Sequence, residues 1–183
     1  MSTGVGKRGV LVAAAAVGLL CSTSCRPSVD TSEAGAGGWP EPLRQMAVDA
    51  EQEFQAPTVS VQAVMDLPED VIVVDVRNLD ESTVSQLAGA QLLSTDQQRA
   101  EFLASAPTQQ VLVYCTAGWR SGDYTRQLVD AGITAWNLEG GICAWAVAGN
   151  ELVDADGKPT LKIHSFNDDM KKCVPATHEA VVE

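Results

Sequence analysis

Apolar positions change their spacing several times along the chain, and each change predicts an element. Residues 9–20, "GVLVAAAAVGLL", are apolar throughout, whereas residues 26–38, "RPSVDTSEAGAGG", are small, polar and rich in glycine. The second composition has nothing to bury and predicts a flexible tether over 26–39. From residue 40, "PEPLRQMAVDAEQEF" places Leu43, Met46, Ala47, Ala50 and Phe54 three and four apart, one face of an amphipathic helix. Ser60 is placed to cap a short helix carrying Val61, Val64 and Met65. "VIVVDV" (71–76) and "VLVYC" (111–115) are β-branched runs with little alternation, the mark of strands buried on both faces. "LAGAQLL" (87–93) predicts a third, shorter strand. Beyond it, "SGDYTRQLVDAG" reads as a helix with Tyr124, Leu128 and Ala131 inward and Gly132 as a left-handed C-cap. "TAWNLEGG" follows as a strand, and "ICAWAVAG" as a last helix.

Strands alternating with helices predict an α/β fold, a central parallel β-sheet flanked by helices on both faces. Sites in such open sheets form beyond the C-terminal ends of the strands. Asp75 and Cys115 both stand at such ends.

Length and composition refine this picture. The chain has 183 residues, 45% of them hydrophobic, enough for one domain with extensions. Its formal charge of −12 and the absence of any basic stripe exclude a nucleic-acid partner. Lys7 and Arg8 precede the apolar run, which has the length of an export signal and is shorter than the ~20 residues of a spanning helix. Small residues Thr23 and Ser24 precede Cys25, as before the lipidated cysteine of bacterial lipoproteins, with Ser22 where leucine is usual. "AGA" (34–36) offers an ordinary cleavage site, and the uncharged stretch through Ser24 allows an uncleaved anchor. Residues 1–25 are thus expected to be an export signal, with Cys25 as the candidate lipidation site and membrane tether. The expected location is periplasmic or cell-envelope, with secretion as the alternative. The domain is expected over 40–160, with residues 161–183 as a C-terminal tail.

The candidate chemistry lies in "VLVYCTAGWRSG" (111–122). A strand-to-helix loop here aims backbone N–H groups and a helix N-terminus at its own centre, which makes an anion site. Cys115 at the loop's start is drawn toward thiolate by those dipoles and by Arg120. Thr116, Ala117 and Gly118 are small enough to let the backbone curl around the sulfur. The pattern suits a nucleophilic sulfur that attacks or carries something negative.

In order, "VIVVDVRNLDE", "VLVYCTAGWRSG", "LVDAGITAWNLEGGICAW" and "AGNELVDADGKPT" resemble a single-domain rhodanese-like sulfurtransferase, over about residues 58–160. The resemblance implies that Cys115 carries sulfane sulfur as a persulfide. Thr116, Ala117, Gly118, Trp119 and Ser121 would surround the substrate, Arg120 would close the loop, and Asp75 and Arg77 would brace it. It implies a small sulfur donor (thiosulfate or a small persulfide), a thiol or cyanide acceptor, and no cofactor. Four residues separate Cys115 from Arg120, as in sulfur-transferring members; related phosphatases have five. Two departures stand out. "SQLAGA" (85–90) replaces the usual "GHIPGA", and the loop "TAGW" is neutral until Arg120, which favours a donor less charged than thiosulfate. A non-catalytic rhodanese-like binding module of the envelope is the rival reading, and a thiol–disulfide redox protein, lacking a C-x-x-C pair, is a weaker one.

Two cysteines remain. Outside the cytosol Cys143 and Cys173 are candidates for a disulfide, for a redox role with Cys115, or for separate thiols. His164 and His178 fall in the tail and are expected to be solvated. With them dispersed and no C-x-x-C present, no metal site is expected.

Overall fold

The computed structural model describes residues 38–182. The export signal, Cys25 and nearly all of the expected tether lie outside the described residues. In chain order the elements are α1 (Glu41–Phe54), β1 (Thr58–Val59), β2 (Ile72–Asp75), α2 (Leu79–Val84), β3 (Gln91–Leu92), α3 (Asp96–Ser105), β4 (Val111–Tyr114), α4 (Trp119–Asp130), β5 (Ala135–Leu138), α5 (Gly141–Val147), β6 (Leu152–Val153), β7 (Pro159–Thr160), β8 (Lys162–His164) and β9 (Glu179–Val181). Short 3-10 turns add Ala63–Asp66 and Asp169–Cys173.

Five strands form one parallel sheet in the order β1-β5-β4-β2-β3. β4 is central, and the reason for its unbroken apolar run is visible in its two faces. Val111 and Val113 enter a cluster with Phe102 of α3 and with Tyr124 and Leu128 of α4. Leu112 and Tyr114 enter a second cluster with Leu43 of α1 and Ile142 of α5. Side chains alternate across a strand, so one buried between two helical layers must be apolar at every position. The α/β fold with helices on both faces is therefore as expected.

Several local expectations are corrected. Ser60 Oγ accepts the Ala63 N–H at 3.3 Å, but the turn it caps is a single 3-10 turn and Met65 points to solvent. Helix α4 starts at Trp119, two residues before the expected start, and Ala131 is exposed at its end. Gly132 does turn left-handed there, at φ +85°. Helices α2 and α3 were not anticipated, because neither shows a clear apolar period; α3 buries only Phe102. Both start on capping boxes, Asn78 with Glu81 and Thr95 with Gln98.

The domain also extends further in both directions than the sequence suggests. Trp39, assigned to the tether, is buried against the Gly140 backbone. The expected tail folds back, with β8 pairing parallel to β9 and with Ile163 and Cys173 in the core. His164 is buried rather than solvated, and its Nδ1 accepts the Phe166 N–H at 3.0 Å. His178 is half-buried, and burial lowers its pKa from the usual histidine value. Cys143 and Cys173 are separate, buried free thiols in the same apolar cluster, so the disulfide is not formed in this structure. The altered "SQLAGA" stretch still turns: the Ala90 N–H donates to the Leu87 carbonyl at 3.1 Å, with Gly89 at φ +76°.

Candidate active site

β4 ends at Tyr114, and the chain passes through residues 115–118 into α4. Cys115 lies in this loop almost fully buried, its Sγ accepting the Gly118 N–H at 3.2 Å and the Ser121 hydroxyl at 3.4 Å. Gly118 is the N-cap of α4, at φ +96°, and no side chain caps the helix. The first-turn N–H groups of Trp119, Arg120 and Ser121 therefore lack intrahelical acceptors, as at any helix start. Together with Gly118 N–H they make a donor-rich cradle beside the sulfur, which favours negative charge there.

The loop keeps its shape because its carbonyls are engaged on the other side. Ile142 and Cys143, in the first turn of α5, donate their N–H groups to the carbonyls of Cys115 and Thr116 at 2.9 and 3.2 Å. Asn137 Nδ2 donates to the Gly118 carbonyl at 3.1 Å. Fixing the carbonyls away from the sulfur leaves the amides available to face it. Gly141 makes this approach possible, since a Cβ there would stand 2.2 Å from the Cys115 oxygen.

Arg120 does not stand as a free cation. Its two terminal nitrogens donate to the two oxygens of Glu81, each at 2.7 Å, and Nη2 also reaches Thr116 Oγ1 at 3.0 Å. The Thr116 hydroxyl in turn donates to Glu81 Oε1 at 2.8 Å, and the Asn78 N–H to Glu81 Oε2 at 3.0 Å. Burial pushes the Glu81 carboxyl up, but Arg120 and the two other donors outweigh it and hold it below the usual glutamate value. Burial also opposes the charge on Arg120, and Glu81 outweighs it there too. Glu81 is the functional residue that sequence reasoning missed. The signal was its place three residues after Asn78, at the start of a helix with no apolar stripe to announce it.

Asp75 and Arg77 brace the site at one remove. They form a fully buried ion pair at 2.6 Å. Arg77 Nη2 also donates to the Ser85 carbonyl at 2.6 Å, and Tyr114 OH donates to Asp75 Oδ2 at 2.8 Å. What the pair holds is thus Tyr114, the residue before Cys115, and the turn at Ser85, rather than residues 116–120. Burial and the Asp75 charge both push the Tyr114 hydroxyl above the usual tyrosine value, so it stays a neutral donor.

Trp119 is partly exposed and packs edge-on against Phe54, ring centroids 5.1 Å apart. The two rings border a cleft of about 730 Å³ that includes Arg120, Tyr124, Glu53 and Asp123. Ala117 is buried and serves the core. Of the sequence-predicted loop residues, Gly118 and Ser121 thus meet the Cys115 sulfur, Thr116 and Arg120 turn to Glu81, Ala117 to the core and Trp119 to Phe54, while Cys143 and Cys173 lie in the core.

Glu81→Gln tests the clamp. At pH 7 the variant is expected to lose about 2 kcal/mol of stability, since a buried partner is removed while Arg120 remains partly solvated. The native carboxyl has the lower pKa, so its contribution is complete above the ordinary glutamate range and is lost as pH falls through the native value. Denaturant melts should show the difference between the two proteins shrinking on acidification; a constant difference would refute the charged clamp.

Residues 60–148 match the rhodanese-like domain family. No curated protein sequence matches the chain. Among solved structures, a thiosulfate sulfurtransferase from Pseudomonas aeruginosa is 26% identical with a TM-score of 0.50, the match covering 72% of this chain and 26% of that one. The chain therefore spans about a quarter of that enzyme. A rhodanese-related protein from Thermoplasma volcanium is 22% identical with a TM-score of 0.49, the match covering 53% of this chain and 97% of that one. A rhodanese-like domain protein from Staphylococcus aureus is 26% identical with a TM-score of 0.44, over 49% and 90% of the two chains. The rhodanese-like domain match thus spans the thiol loop that follows the central strand of the parallel sheet.

Proposed function

We propose that the protein is a sulfurtransferase that carries sulfane sulfur on Cys115. The thiolate attacks the outer sulfur of a donor; a new S–S bond forms, and the donor's own bond to that sulfur breaks. From thiosulfate the leaving group is sulfite, and from a hydropersulfide it is a thiolate. An acceptor, cyanide in an assay or a thiol in the cell, then takes the sulfur and returns Cys115 to thiolate. The observation that carries this reading is the convergence on one buried sulfur of the Gly118 N–H, the Ser121 hydroxyl and an uncapped helix start. These donors suit the negative outer sulfur of a persulfide. The likeness to the Pseudomonas aeruginosa thiosulfate sulfurtransferase supports the same chemistry.

The proposed setting is the cell envelope, reached through the Lys7-Arg8 export signal and held by a lipid on Cys25. Asp75 and Arg77 act as positioning residues through Tyr114, and Thr116 and Arg120 through Glu81.

Peptide mass spectrometry of the full chain tests the activity. After a sulfur donor the Cys115 peptide should gain the mass of one sulfur atom, and cyanide should remove it as thiocyanate. No gain with thiosulfate or with an organic hydropersulfide, from folded protein whose Cys115 still alkylates, would leave the binding-module reading in its place.

A further inference from the structure

The returning C-terminal segment places an aromatic ring against Arg120, in the helix that follows the candidate active-site loop. Phe166 follows β8 with φ +68°, a left-handed conformation that a bulky residue rarely adopts. The turn is held firmly. The Phe166 N–H donates to His164 Nδ1 at 3.0 Å, the Ser165 N–H to the Val181 carbonyl at 2.9 Å, and the Asn167 N–H to the Ser165 carbonyl at 2.8 Å. The effect is to hold the Phe166 ring against the Arg120 guanidinium, 4.8 Å from centroid to Cζ, while leaving the residue 48% exposed. Trp119, the residue before Arg120, is 42% exposed. Phe166 thus covers the guanidinium, while Trp119 borders the adjoining cleft that Arg120 also lines, and both rings keep an exposed face.

The charge around them is already committed. Arg120 is neutralised by Glu81, and Arg99, in the neighbouring cleft, is bound to Asp96 and to the Leu93 carbonyl. Glu53 and Asp123 also line that cleft. A dianion approaching the loop therefore meets carboxylates and a paired arginine, whereas an apolar group meets aromatic faces. We propose that Phe166, with Trp119, is a specificity-determining element that receives the organic part of a hydropersulfide donor, R–S–SH with an apolar R group. The inference rests on the sulfur-transfer reading above. In the step it serves, the Cys115 thiolate attacks the terminal sulfur, the R–S to S bond breaks, and R–S⁻ leaves with the bonding pair. The proton stays on the transferred sulfur, giving Cys115–S–SH.

The test is single-turnover loading of the full chain with benzyl hydropersulfide and, separately, with thiosulfate, for wild type, Phe166→Ala and Phe166→Tyr. Phe166→Ala is expected to lower the second-order rate constant for loading by benzyl hydropersulfide about tenfold, mostly through a higher half-saturating donor concentration, while thiosulfate loading stays within about twofold. Phe166→Tyr, which keeps the ring, should restore the preference and control for folding. Equal losses with both donors would show that Phe166 only positions Arg120, and an unchanged ratio of the two rates would show no role in donor choice; either overturns the proposal. Loading of wild type by neither donor would overturn the sulfur-transfer reading itself, and the donor assignment with it.

Discussion

Cys115→Ser is expected to abolish sulfur loading and cyanide-dependent thiocyanate formation, by about 1,000-fold or more, while leaving the protein folded. The activity falls because a serine oxygen cannot hold sulfane sulfur through an S–S bond, and its hydroxyl remains protonated at neutral pH. The fold survives because the site that receives the side chain is already polar. The Gly118 N–H and the Ser121 hydroxyl, which now point at sulfur, find an oxygen acceptor of similar size. The stability change should stay within about 1 kcal/mol, because no buried donor is left without a partner. Circular dichroism melts and mass spectrometry on the same sample separate the two effects. Retained sulfur transfer in a folded Cys115→Ser protein would overturn the assignment of the nucleophile.

Gly141→Ala should cost about 3–5 kcal/mol of stability although it adds a single methyl group. Two penalties combine. The residue sits at φ +57°, where an L side chain costs ~1–2 kcal/mol. The added Cβ would also fall 2.2 Å from the Cys115 carbonyl oxygen and 2.9 Å from the Thr116 carbonyl carbon, both of them backbone atoms. Relief requires α5 to move away, and that breaks the Ile142 and Cys143 N–H bonds to the loop, each worth about 1 kcal/mol. Gly132→Ala is the control. Its φ of +85° carries the conformational penalty, but nothing lies within 4 Å of the new Cβ, so about 1 kcal/mol is expected. Equal losses in the two variants would mean that close packing of α5 on the thiol loop does not hold the site together.

The Gly141 contact illustrates where the reading of the chain runs out. "EGG" before "ICAW" marks a strand end and a turn, and that much is local. That Gly141 approaches the carbonyl of a residue 26 positions earlier follows from β5 lying beside β4 in the sheet. Glu81 is a similar case. Its capping-box spacing is a local signal, but its use as the partner of Arg120 depends on α2 standing next to the loop that follows β4. The C-terminal segment misleads in the opposite direction. "KIHSFNDDMKKC" has few apolar residues and reads as a tail, yet Ile163 and Cys173 complete the core and Phe166 reaches the site.

Although β2, expected to be as buried as β4, leaves Ile72 and Val73 partly exposed, the sequence by itself determined the α/β class, the fully buried central strand β4 and the thiol loop with its four-residue spacing from cysteine to arginine. Each of these rests on interactions among neighbours in the chain: side-chain period, turn residues, and dipoles within one strand-loop-helix unit. Only the tertiary structure decided that Arg120 is neutralised by Glu81, that α5 ties back the loop carbonyls, and that an aromatic ring from the far end of the chain covers the arginine. Those contacts join residues far apart in sequence and are set by which strands pair and which helices cover them, an order that hydrophobic periodicity does not encode.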